Sequence, residues 1–95
     1  NVYCAEVESA VFDHPGVSEC SVFGVPDDRL GEEVGVAIFR NSGADVDAAA
    51  IRAHCKARIS NHKIPRYIWF VDAPLPRNAN GKFLKRELRK ELIGK

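Results

Sequence analysis

Lys82 closes the run Pro76-Arg77-Asn78-Ala79-Asn80-Gly81-Lys82. Pro76 fixes its own φ, Asn78 and Asn80 tolerate turn or left-handed backbone, and Gly81 lifts the Cβ penalty beside the lysine. Those residue types make a constrained turn that ends in one ammonium group on a long stem. Such a group is a compact, mobile point charge. It suits reaching into a neighbouring body and meeting negative charge as it develops in a reaction. The plainer alternative is a solvated lysine ahead of a helix, the usual fate of an exposed lysine. The seven residues alone leave both readings open.

Two elements must hold this turn. Before it, Tyr67-Ile68-Trp69-Phe70-Val71 is β-branched and aromatic and predicts a strand. After it, residues 83–93 predict a charged amphipathic helix, with Leu84, Leu88 and Leu92 at i, i+4, i+8 as its apolar stripe. Upstream, residues 4–13 predict a helix on Val7, Ala10, Val11 and His14, stopped by Pro15-Gly16. Residues 18–25 and 33–39 predict two strands. The turn-rich residues 26–31 between them make an antiparallel hairpin the economical pairing. Asp47 is a suitable N-cap for a helix from Ala48 to about Ile59, buried along Ile51, Cys55 and Ile59. Pro65 then forces the chain to extend. The order αββαβα predicts an α+β domain: a small three-stranded sheet, an antiparallel hairpin plus a third strand, flanked by helices.

Size and composition restrict the function. A chain of 95 residues, 45% hydrophobic and 28% charged, makes one core and one domain, too small for a deep substrate cleft of its own. Its formal net charge of +1 gives no global field for nucleic acid, and none is expected as a partner. Residues 82–95 carry +4 and the rest −3, a basic end that could meet phosphates or an acidic partner. Cys4, Cys20 and Cys55 are odd in number and widely spaced, which fits a reducing, cytoplasmic setting rather than a disulfide framework. His54, Cys55 and His62 lack the paired spacing of a zinc site, so no metal site is assigned. Asp27-Asp28 has no base or partner carboxylate nearby in sequence and reads as turn chemistry. No apolar run approaches the roughly 20 residues that span a bilayer. The chain starts without Met and reads as a piece of something longer.

Five short motifs occur in register: Asn1-Val2-Tyr3 with Ala5-Glu6-Val7-Glu8; His14-Pro15-Gly16-Val17; Gly24-Val25-Pro26-Asp27 with Gly31-Glu32; Lys63-Ile64-Pro65; and the Lys82 heptad followed by Lys85-Arg86-Glu87-Leu88. Together they span the chain, and it resembles the C-terminal domain of acyl-CoA synthetases, in the adenylate-forming superfamily that also holds luciferases and peptide-synthetase adenylation domains. The resemblance implies a two-step ligase. A large N-terminal domain and a hinge, both absent from residues 1–95, would precede this lid domain. The large domain would bind ATP, Mg²⁺ and the carboxylic acid. In the first step Lys82, supported by Asn78, Asn80 and Gly81, would be delivered to the acid and the α-phosphate. The lid would then rotate for attack by CoA. Asn1, Val2 and Tyr3 would lie along the pantetheine channel, with Lys63 and Arg66 towards the CoA nucleotide. The family's loop lysine is also a target of regulatory acetylation. The resemblance further implies that the 95 residues alone bind no cofactor and are inactive. A peptide-synthetase or luciferase-like lid is the near alternative, and a free-standing module with a basic last helix is the distant one.

Overall fold

The computed structural model describes residues 3–29 and 31–94. Its elements are α1 (Cys4–Phe12), β1 (Val17–Asp27), β2 (Gly31–Arg40), α2 (Ala48–Lys56), a 3-10 turn (Asn61–Lys63), β3 (Tyr67–Val71) and α3 (Lys85–Ile93). The αββαβα order and the α+β class are those expected.

Boundaries differ where tertiary pairing overrides local signals. β1 and β2 pair antiparallel as far as Asp27↔Gly31, so the connection is three residues rather than six. Pro26 is tolerated because β1 lies at an edge of the sheet order β1-β2-β3. α2 stops at Lys56, three residues short of the expected end. The N–H groups of Arg58 and Ile59 both donate to the Cys55 carbonyl, and the last turn closes on that one acceptor. At its other end Asp47 caps the helix as expected, its carboxylate accepting from the Ala50 N–H at 2.8 Å. α3 begins at Lys85, with Leu84 as its half-buried N-cap; Leu88 and Leu92 are buried.

β3 runs parallel to β2, in register from Gly35↔Tyr67 to Phe39↔Val71. The crossover through α2 makes that direction the natural one, since parallel neighbours need a long connection. Side chains alternate across the sheet and split the core in two. Cys20, Val22, Val34, Val36 and Ile38 face α1 and α2, meeting Val7, Val11, Ile51 and Cys55. Phe23, Val25 and Ala37 face the other way, meeting Leu75 and the α3 residues Leu88 and Leu92. Among the described residues α3 is the helix that covers this second face, with Leu75 beside it. Gly35 belongs to it, and a Cβ there would come within 2.5 Å of Val25 and 3.0 Å of Trp69. The missing side chain lets Phe23 and Trp69 stack with ring centroids 5.6 Å apart. Among the described residues no helix is long and apolar enough to cross a membrane.

Candidate functional site

The chain leaves β3, passes the buried Leu75, and turns back on itself before α3. Three cross-ties close this turn. The Leu84 N–H donates to the Pro76 carbonyl at 2.8 Å, Arg77 and Phe83 form an antiparallel bridge, and the Asn78 N–H donates to the Lys82 carbonyl at 2.9 Å. At the tip the Gly81 N–H donates to the Asn78 carbonyl at 2.9 Å, and Gly81 has φ +79°. This is the pattern of a three-residue hairpin loop closed by a left-handed glycine. The Asn78 side chain adds an Asx turn: its Oδ1 accepts from the N–H groups of Asn80 at 2.9 Å and Lys82 at 3.1 Å. Neither Asn78 nor Asn80 takes positive φ; that duty falls on Gly81 alone.

Lys82 is exposed, and among the described residues its ammonium has no ion-pair or hydrogen-bond partner. Two of its basic neighbours, Lys85 and Arg89, are occupied. Lys85 Nζ lies 2.7 Å from Glu8 Oε1, and Arg89 Nε donates to the Gly24 carbonyl at 2.6 Å. The basic end is thus partly neutralised within the fold, while Lys82 stays available. Both limbs of the turn are tied to the body by carboxylates, Glu8 and Glu19, whose partners local patterning does not give. Glu19 accepts from the Leu75 N–H and from Arg77 Nη2, each at 2.8 Å. Glu8 accepts from Lys85 and from the Val22 N–H at 3.2 Å. These pairings join residues 56 and 58, or 77 and 14, positions apart, and no local signal marks such partners.

Substituting Gly81 tests the turn directly. Open space surrounds its missing Cβ, so the cost of Gly81→Ala is backbone strain alone. A left-handed L-residue costs about 1–2 kcal/mol. The expected result is a loosened tip, seen as backbone order lost at residues 79–82 by NMR relaxation, with the core unchanged. Order retained at the tip would refute the assignment of the turn to Gly81.

A second place gathers the other expected site residues. Tyr3, Glu32, Glu33, Arg52, His62 and Arg66 line a cleft of about 680 Å³. Arg52 builds one wall, its Nε and Nη2 donating to the Pro65 and Arg66 carbonyls at 3.0 and 2.7 Å. Lys63 reaches the rim, with Nζ 5.1 Å from the centroid of the Tyr3 ring. That ammonium is held 2.8 Å from Glu6 Oε1, so it is not a free cation as Lys82 is. Arg66 is 60% exposed and only loosely paired, 3.9 Å from Glu33. Lys82 is not among the residues lining this cleft, so the expected site residues fall in two places. Asn1 and Val2 lie outside the described residues. Among the described residues no group of three or more His, Cys, Asp or Glu could hold a metal ion.

A family model described as the AMP-binding enzyme C-terminal domain matches residues 6–82. The chain is 45% identical over 92 residues to the mitochondrial medium-chain acyl-CoA ligase of Mus musculus, covering 97% of the chain and 15% of the relative. It is 44% identical over 90 residues to the 2-succinylbenzoate–CoA ligase of Geobacillus kaustophilus, covering 95% and 18%. Among solved structures, the Mycobacterium tuberculosis fatty acyl CoA synthetase superposes with a TM-score of 0.87 at 35% identity, covering 96% of the chain and 18% of that structure. The chain thus spans less than a fifth of the length of these relatives.

Proposed function

The chain belongs to the C-terminal domain family of AMP-binding enzymes, and from that membership we propose that it serves as the mobile lid of an acid–CoA ligase. Residues 1–95 are then one domain, and the larger ATP-binding body and the hinge belong to the remainder of the polypeptide. The observation that carries this reading is Lys82: an unpaired ammonium on a turn closed by three cross-ties, at the end of the matched residues.

In the first half-reaction Lys82 meets the acid's carboxylate and the α-phosphate of ATP. Two anions must approach as the new oxygen–phosphorus bond forms and pyrophosphate leaves. The ammonium between them offsets their repulsion and holds them in line. Asn78, Asn80 and Gly81 aim the stem. Mg²⁺ accompanies the nucleotide on the larger body. The domain then rotates to present the Tyr3 cleft, where Arg66 and the Lys63 rim lie towards the CoA nucleotide. A mobile domain suits this sequence of events because the two sets of residues sit in two places.

The acid itself is proposed to be a fatty or related carboxylic acid. The names of two of the relatives, medium-chain acyl-CoA ligase and fatty acyl CoA synthetase, support that class. Identity to the ligase for 2-succinylbenzoate is almost as high, which fits acid selection by the larger body. The mouse relative is mitochondrial, so family membership does not carry the cytoplasmic expectation.

Half-reaction assays of the isolated 95 residues and of the full-length polypeptide test the lid reading. The expected outcome is acid-dependent ATP–pyrophosphate exchange and thioester formation in the full-length protein and neither in the isolated chain. Exchange by the isolated chain would refute it, as would salt-sensitive nucleic-acid binding by that chain with no ligase activity in the whole. For the cleft, combining Lys63→Glu with Arg66→Glu in the full-length enzyme should raise the KM for CoA at least about tenfold and leave adenylate formation alone, following the roughly 1.5–3 kcal/mol of a hydrogen bond to a charged group. An unchanged KM for CoA would remove both residues from the thioester face.

A further inference from the structure

The Lys82 turn has little apolar packing of its own. Residues 76–82 are exposed, and Phe83 and Leu84 are only half-buried. Beneath its limbs lies a hollow of about 400 Å³ with Phe12, Cys20 and Phe83 in its walls, flanked by Glu8 on one side and Glu19 on the other. What joins the turn to the domain at this level is therefore polar. Glu19, on β1, spans two points of the incoming limb, the Leu75 N–H and the Arg77 guanidinium, each at 2.8 Å. Arg77 in turn sits over the Phe83 ring on the outgoing limb, 4.6 Å from its centroid. Glu8, on α1, holds Lys85 just past the outgoing limb at 2.7 Å and grips the free N–H of edge-strand residue Val22 at 3.2 Å. The two carboxylates thus approach from different elements and secure opposite limbs.

We infer that Glu8 and Glu19 are positioning residues for Lys82, a pair of anchors that fix the turn on the domain so that the ammonium is carried as part of one rigid unit. This rests on the role given to Lys82 above. Partly exposed ion pairs contribute little to stability, typically about 0–1 kcal/mol. Their effect here is on geometry: a misplacement of about 1 Å at a reacting centre can cost about a hundredfold in rate. Each anchor holds one limb only, so losing one loosens the turn without freeing it.

The test uses Glu8→Gln and Glu19→Gln, with Arg77→Gln as a second route to the Glu19 contact from its exposed side. In the 95-residue chain, backbone order parameters of residues 78–82 should fall from about 0.85 towards 0.6, while those of the sheet stay unchanged. In the full-length enzyme, kcat for adenylate formation should fall about tenfold in each variant. The KM for the acid should stay within about twofold, and thioester formation from supplied acyl-adenylate should be untouched. A merely structural contact would instead lower the melting temperature and slow both half-reactions together. Unchanged order in the Gln variants overturns the anchors whatever the enzyme assays show. Loosened order with normal adenylation also overturns their bearing on Lys82. If Lys82→Ala is equally silent in that assay, the fault lies with the lysine's assigned role and not with the anchors.

Discussion

Lys82→Ala in the full-length polypeptide is expected to slow adenylate formation by about 10²–10³, while thioester formation from supplied acyl-adenylate proceeds at the normal rate. The magnitude follows from removing one preorganised charge from a site where negative charge gathers, typically about 2.7–4 kcal/mol of transition-state stabilisation. The asymmetry follows from geometry, since Lys82 does not line the Tyr3 cleft assigned to the second step. No fold defect is expected, because the side chain is exposed and makes no hydrogen bond or ion pair with the described residues that its loss would break. Lys82→Arg should recover only part of the rate: the charge survives, but a planar fork replaces a point donor. Lys82→Gln, which imitates the neutral acetylated side chain, should behave like Lys82→Ala. Equal loss in both half-reactions would refute the division of labour, and normal adenylation would refute the catalytic role outright.

The second large effect is on stability and belongs to alkaline pH. Cys20 is buried behind α1, its thiol 3.6 Å from the Glu8 carbonyl. Burial, reinforced by the Glu8 carboxylate, pushes the thiol from 9.0 up to about 12. Burial also raises Cys55. Below pH 9 the Cys20 thiol is protonated in the folded and unfolded chains alike, and stability is fully present. Above pH 9 the unfolded chain sheds the proton while the folded chain retains it, so the unfolded state gains. Each pH unit then removes up to about 1.4 kcal/mol, and roughly 4 kcal/mol is lost by pH 12. Urea unfolding from pH 8 to pH 11 should show this decline in the wild type and a shallower one in Cys20→Ala. Parallel declines in the two proteins would refute it. The same burial makes Cys20 a poor nucleophile, so thiol reagents should modify half-exposed Cys4 first and Cys20 only on unfolding.

Much of this was legible in the sequence because it is local. Leu88 and Leu92, the Val7-Ala10-Val11 stripe and the Asp47 cap each announce themselves within one or two helical turns. The strand at Tyr67–Val71 was read with its observed bounds. The turn before Lys82 was legible for the same reason, since Asn78 and Gly81 act on backbone within four residues. Other features depend on partners far away in the chain. The hairpin's real length comes from pairing that continues to Asp27 and Gly31, past residues that look like a turn. The parallel run of β3 is fixed by its registration against β2. Glu8 and Glu19 sit beside Lys85 and Arg77 only because of the fold, and no local pattern gives either carboxylate that partner. Lys63, expected towards the CoA nucleotide, is paired with Glu6 across 57 residues of sequence, a partner no local pattern gives.

The Phe23–Trp69 stack over Gly35 provides an optical reporter. Trp69 is the only tryptophan in the chain. Its indole is half-buried and packs with the cluster that seats Leu88 and Leu92 of α3. Ultraviolet emission from the unlabelled protein therefore monitors whether the final helix is seated. Because the Lys82 turn lies between β3 and that helix, unseating the helix would shift the emission to longer wavelength, and the outgoing limb beside the amine would loosen in the same event while Glu19 kept hold of the incoming one.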